Sequence, residues 1–173
     1  MRTVAALYID PRGPYPKMPG VDCWDEARDA RKYEGADPVV AHPPCQLWVN
    51  FAALNYKRYG GEHNRPGNDG GCFELALWAV RMFGGVLEHP AGSKAWDRFA
   101  LLKPRLLGWQ QVALPWPHAA GTSWVCEVWQ SAYGHKARKR GFTTVAAVPQ
   151  SMPIGPVSLG RTSAAGSIES GRR

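Results

Sequence analysis

The segment Pro38-Val39-Val40-Ala41-His42-Pro43-Pro44-Cys45-Gln46-Leu47-Trp48 constrains this chain more than any other. A short β-branched run reads as a buried strand, and two prolines cannot continue it. The spacing therefore predicts a strand over Val39–Ala41 and a stiff loop that carries Cys45 at its carboxyl edge. The pattern returns at Gly85-Val86-Leu87-Glu88, which is apolar up to the carboxylate and is expected to break at His89-Pro90. Repetition of strand, edge residue and helix is an α/β signature, and open α/β sheets place their chemistry at the carboxyl edge. If the two strands run parallel, Cys45 and Glu88 reach the same edge.

The other expected elements fit this class. Thr3 to Ile9 reads as a first strand, followed by the Pro/Gly turn Asp10-Pro11-Arg12-Gly13-Pro14-Tyr15-Pro16. A helix is expected over Asp25 to Tyr33, and Gln46 to Tyr59 reads as helical. Gly60 to Gly71 is a glycine-rich surface loop. Cys72 to Phe83 has the apolar content of a mostly buried helix, ended by Gly84-Gly85. Ser123 to Gln130 and Phe142 to Val148 read as late strands around the basic turn Gly134 to Arg140. The expected fold is a Rossmann-like three-layer α/β sandwich with a largely parallel central sheet. Residues 1–150 form one domain in this reading, and 151–173 form a flexible Ser/Gly/Arg-rich tail.

Composition narrows the function classes. At 173 residues with 45% hydrophobic content, the chain can bury one real core, and two comfortable domains are not expected. The net charge of +7 suits a polyanion such as DNA or a nucleotide, although Arg161, Arg172 and Arg173 put part of that excess in the tail. Cys23, Cys45, Cys72 and Cys126 show neither a CxxC pair nor the dense spacing of a secreted scaffold, so reduced thiols in a cytoplasmic protein are expected. The amino terminus does not read as a signal peptide, and no apolar stretch approaches about 18 residues, so no membrane partner is expected.

A cysteine fixed at a strand end can act as a nucleophile, and a nearby carboxylic acid can deliver a proton to what it attacks. That pair suits a pyrimidine ring: the thiolate adds to C6 while Glu88 engages N3, leaving C5 able to attack an electrophile. Arg138 or Arg140 can hold the ring's O2 or a neighbouring phosphate.

Pro43-Pro44-Cys45-Gln46 resembles the Pro-Pro-Cys-Gln loop of the DNA cytosine-5 methyltransferases. Val86-Leu87-Glu88-His89 is similar to that family's Glu-Asn-Val strand end, and Asp29-Ala30-Arg31 to its Asp-Ile-Arg motif. The stretch Tyr133-Gly134 to Arg140 resembles its Tyr-Gly-Val-Pro-Gln-x-Arg-x-Arg region with one residue deleted. The resemblance covers roughly residues 25 to 148. It implies cytosine-5 methyl transfer on DNA, with Cys45 as nucleophile, Glu88 at N3, Arg138 at the base or intermediate and S-adenosylmethionine as donor. Pro43, Pro44, Gln46, Trp48, His42, His89 and Arg140 are the candidate substrate-binding residues; Asp10, Arg12, Gly13 and Asp29 are the candidate cofactor-binding residues.

The departures are specific. His42 precedes the prolines where the family has a small residue, His89 replaces the Asn of Glu-Asn-Val, and the Gln of the basic motif is missing. The family's Phe-x-Gly-x-Gly loop is absent, with Tyr8-Ile9-Asp10-Pro11-Arg12-Gly13-Pro14 the best substitute, and there is no room for a target-recognition domain. The chain thus looks like a pared-down phage or prophage relative. Modification of a free pyrimidine nucleotide, use of a donor other than S-adenosylmethionine, and a catalytically silent nucleic-acid binder remain open alternatives, and a homodimer is a candidate source of what is missing.

Each residue has a plainer reading. Cys45 can be a buried structural thiol, Glu88 a turn-capping acid, and Asp10 either a ribose ligand or the start of an Asp-Pro turn. His42 and His89 can raise the thiolate fraction of Cys45 or be structural. Together with Cys45 they lack the local spacing of zinc motifs, so no metal site is expected. The tryptophans belong to the core, with Trp48 the candidate to line a base pocket. Arg138, Lys139 and Arg140 can be a solvated turn or a phosphate contact.

Overall fold

The computed structural model describes residues 3–103, 108–112, 123–129 and 140–146. The expected tail and Arg138 lie outside these residues. The described elements form one seven-stranded sheet in the order β2-β1-β3-β4-β7-β6-β5. The strands are β1 (Val4–Leu7), β2 (Val21–Trp24), β3 (Val39–Ala41), β4 (Gly85–Pro90), β5 (Gln110–Val112), β6 (Ser123–Trp129) and β7 (Arg140–Ala146). β2, β1, β3 and β4 pair in parallel. β4 with β7, β7 with β6, and β6 with β5 pair antiparallel. The protein is α/β and compatible with a Rossmann-like fold, with an antiparallel block added to its parallel half.

Chain order reverses between β1 and β3: β2 lies on one side of β1, and the chain then crosses to build β3 and β4 on the other. Such a switch point leaves a crevice outside the carboxyl ends of the two strands, because their following loops diverge. The loop after β1 and the Pro-Pro-Cys loop after β3 are its two walls.

The helix α2 (Cys72–Phe83) packs on β3 and β4. Its residues Phe73, Ala76, Leu77 and Val80 recur at helical spacing and are all buried. Asp69 caps its start, accepting from the amides of Gly71 and Phe73 at 3.0 and 2.9 Å, and Gly84 ends it at a φ of 76°. The core joins this face to Ala5, Leu7, Val39, Ala41 and Leu87 of the sheet. Gly85 is required where it stands: its φ is 128°, and a Cβ there would lie 1.9 Å from the carbonyl oxygen of Val39.

Several local expectations change. No helix spans Asp25 to Tyr33; turns and a short 3-10 segment (Ala30–Lys32) replace it. Asp25 accepts from the Arg28 amide and Asp29 from the Arg31 amide, and such local bonds compete with helical ones. The Gln46 to Tyr59 helix is split into a 3-10 turn (Gln46–Trp48) and α1 (Phe51–Tyr59), with Val49 extended between them. The break has a cause: the Trp48 carbonyl is taken by the Lys94 amide at 2.8 Å. β4 continues through His89 to Pro90, because β7 pairs along its whole length. β2, β5 and the short helix α3 (Ala95–Arg98) had no strong periodic signal. Among the described residues, no helix is long and apolar enough to cross a membrane.

Candidate functional site at the sheet's carboxyl edge

β3 and β4 are parallel neighbours with Ala41 opposite Leu87, so His42, just past the end of β3, lies beside Glu88, which is still within β4. His42 Nδ1 lies 3.5 Å from Glu88 Oε2. On its other side, His42 Nε2 is 2.7 Å from the hydroxyl of Tyr15, which comes from the loop after β1. The contact spans the switch-point crevice and links three chain segments in one line. Burial, and then the charge of Glu88, push the Tyr15 phenol above its ordinary pKa, so Tyr15 stays protonated near neutrality.

Cys45 follows three residues after His42, half-buried, at the start of the 3-10 turn. Pro43 is buried and Pro44 exposed, so the first proline anchors the loop and the second faces outward with Gln46. The loop is braced from several directions. The Trp48 indole donates to Asp69 at 2.8 Å, the Gly67 amide donates to the Leu47 carbonyl at 2.9 Å, and the Lys94 amide holds Trp48. Beneath it, Phe73 packs against Trp48, His89, Trp96 and Phe99, with ring centroids 4.9 to 5.9 Å away. Fixed rotamers of this kind place a reactive side chain more tightly than a loose loop can.

His89 is corrected by the structure: it is 1% exposed and faces the aromatic core, not the crevice where Glu88 lies. Successive strand residues point to opposite faces, so the two neighbours on β4 have opposite surroundings. Burial pushes the His89 pKa down to about 4, with the Pro44 carbonyl pulling the other way. Neither ring nitrogen has a hydrogen bond of good geometry within the described residues. Trp48 is likewise mainly a core residue; only its edge reaches a cleft of about 500 Å³, lined also by Asn50, Arg65, Asn68, Lys94 and Arg98. Arg65 there is paired with Glu62 at 3.1 Å.

Arg140 opens β7, just past the Gly141 that pairs with Pro90 at the carboxyl end of β4. The first residues of β7 therefore lie at the same edge of the sheet as the carboxyl end of β4, and the rest of the basic turn lies outside the described residues.

The candidate cofactor residues divide. Asp10 and Arg12 line a second cleft, of about 590 Å³, with Ile9, Pro11, Asp25 and Glu26 at the ends of β1 and β2. They are bonded to each other at 3.0 Å on the surface. Asp29 is corrected: it does not line this cleft but caps the turn at Ala30 and pairs with Arg31 at 2.7 Å. The residue missed by the sequence reading is Asp25, immediately after β2. An acid in that position can accept the hydroxyls of a ribose, and its signal was hidden because β2 is only four residues long. Tyr15 was missed because nothing local marks its partner.

No family model, curated protein or solved structure matches the chain. Asp25 shares its cleft with Ile9, Pro11 and Glu26 and with the Asp10–Arg12 pair. The loop after β1 does not offer a glycine-lined approach to it: the Gly13 amide is used by the Asp10 carbonyl at 2.8 Å, and a Cβ at Gly13 would stand 3.0 Å from that same oxygen. No group of three or more metal-ligating side chains occurs among the described residues.

Proposed function

We propose that the protein modifies a pyrimidine base at C5, as a cytosine-5 methyltransferase does, with Cys45 as nucleophile and Glu88 as the group that engages the ring. The observation that carries this reading is the placement of the Pro-Pro-Cys loop, which follows β3, next to Glu88 of the neighbouring parallel strand β4, beside the switch point between β1 and β3. In it, Cys45 Sγ, as thiolate, bonds to C6 of the ring. The π electrons of the C5–C6 bond shift to C4–C5 and those of C4–N3 to N3, which takes the proton of the Glu88 carboxyl and leaves C5 nucleophilic; once C5 has bonded the electrophile, loss of the C5 proton to solvent and of the Cys45 thiolate from C6 restores the ring. S-adenosylmethionine, the donor implied by the resemblance, supplies an electrophilic methyl group when bound. Asp25 would hold its ribose.

DNA is the favoured substrate. The cleft begins at Leu47 and Trp48, two and three residues from Cys45, and beyond the Arg65–Glu62 pair it carries Lys94 and Arg98, which would place positive charge where the strand beside an extruded base must run. The missing glycine approach favours a second reading, the same adduct chemistry with a different one-carbon donor or a free nucleotide.

The deciding experiment is intact-mass detection of a covalent complex with DNA containing 5-fluorocytosine, with and without S-adenosylmethionine. A donor-dependent adduct in the wild-type protein, absent in Cys45→Ala and slowed roughly a thousandfold in Glu88→Gln, is the expected result. An adduct with the free nucleotide and not with DNA favours the second reading. Absence of any Cys45 adduct overturns both.

A further inference from the structure

We infer that Tyr15 and His42 are positioning residues for Glu88: the phenol fixes the histidine tautomer, and the histidine fixes which carboxyl oxygen carries the acid proton. The inference rests on the reading of Glu88 as the group that engages N3. It adds two residues that the resemblance does not supply, since His42 stands where that family has a small residue and Tyr15 lies in no matching motif.

A neutral phenol has one O–H to give, and His42 Nε2 at 2.7 Å is there to accept it. A neutral imidazole that accepts at Nε2 carries its own hydrogen on Nδ1. That hydrogen lies on the side of Glu88, whose Oε2 is 3.5 Å away. An N–H facing Oε2 disfavours a proton on the same oxygen, so the acid proton of Glu88 is confined to its other oxygen. A carboxyl group with an assigned donor oxygen is what transfer to a ring nitrogen requires. The separation of 3.5 Å is longer than a closed hydrogen bond, and catalytic contacts often tighten only when substrate arrives.

The placement also sets these residues apart from structural pairs. The His42 side chain retains 34% of its exposure and Glu88 21%, so the line of contacts runs along the crevice wall and not through the core. The His42 backbone is separately anchored, its amide donating to the Leu7 carbonyl at 3.1 Å. The fold therefore does not need the imidazole to hold the strand end.

Two measurements test the inference. The first is the rate of adduct formation with 5-fluorocytosine DNA and S-adenosylmethionine in His42→Ala, His42→Asn and Tyr15→Phe, each checked by thermal unfolding. Misorientation of a reacting group can cost roughly a hundredfold, which is the loss expected for His42→Ala. His42→Asn, whose amide N–H can take the place of Nδ1–H, should recover about tenfold of that loss, and Tyr15→Phe should lose about tenfold. The second is the ¹⁵N spectrum of the His42 ring, expected to show a protonated Nδ1 and a bare Nε2, with this preference lost in Tyr15→Phe. Wild-type rates in folded His42→Ala, or a ring protonated at Nε2, overturn the inference. If the wild-type protein forms no adduct, the reading of Glu88 fails with the function, whereas the ring spectrum still decides the contact geometry.

Discussion

At the carboxyl ends of β3 and β4, polar side chains find their partners far away in the sequence; at the ends of β1 and β2 they find them next door. Tyr15 meets His42 across 27 residues and Trp48 meets Asp69 across 21, whereas Asp10 bonds Arg12 and Asp29 bonds Arg31 only two residues on. Asp22 belongs with the second group: the Arg28 guanidinium, six residues away, holds its carboxyl below the usual range, and the same guanidinium lies 3.9 Å over the Trp24 ring. Neighbouring pairs on the surface would form in many folds and contribute little to stability. Distant pairs exist only because the sheet brings their elements together, so they are the ones that point to a built site.

The strongest way to break the first region is through Gly85. Its backbone approaches Val39 so closely that Gly85→Ala must separate β3 from β4 or twist the strand start, at a positive φ that alanine rarely adopts. We expect a loss of more than about 3 kcal/mol in urea unfolding. A variant with wild-type stability would mean that the β3–β4 edge does not depend on this approach.

The contrast between Glu88 and His89 can be sharpened by pH. His89 is held neutral by burial, its pKa lowered from 6.5 to about 4. Between those values the unfolded chain binds more protons, so this contribution is complete above about pH 6.5, declines as pH falls and levels off below about pH 4. The swing corresponds to about 3 kcal/mol. His89→Leu should flatten it, because leucine binds no proton in either the folded or the unfolded state. The check is the urea midpoint of both proteins followed from neutral to acidic pH; parallel curves would place His89 outside the dry core.

The smallest effects are expected in the second region, where the prediction is a difference between two acids. Asp25→Asn should weaken adenosine or S-adenosylmethionine binding about tenfold in calorimetry, the loss of one charge-assisted hydrogen bond. Asp10→Asn should leave that affinity unchanged, since Asp10 is engaged by Arg12. Arg12→Ala should leave the unfolding midpoint where it is, because the pair is fully exposed to solvent. Equal losses for Asp25 and Asp10 would show that the cleft works as a whole and not through the residue after β2.

Much of this was legible in the chain itself. Val39–Ala41, Gly85 to Glu88 and the helix from Cys72 to Phe83 were readable because a run of apolar residues ended by proline or glycine has few other ways to fold. The same residues set Cys45 just past β3 and Glu88 late in β4, and the parallel pairing of the two strands brought them to one side of the sheet edge, although β7 carries β4 on to Pro90. The segment from Asp25 to Tyr33 misled because helical composition does not reveal that Asp25 and Asp29 cap their own neighbours.

The sequence by itself determined the α/β class and the residues at the strand ends, since these depend on periodicity and on local backbone restrictions. Only the tertiary structure decided which side chains share surroundings. It put Glu88 in the crevice with Tyr15 and His42, and His89 against Phe73 and Trp96, although the two residues are adjacent. Face, register and strand order are set by packing between segments that lie far apart in the chain, and no local pattern carries that information.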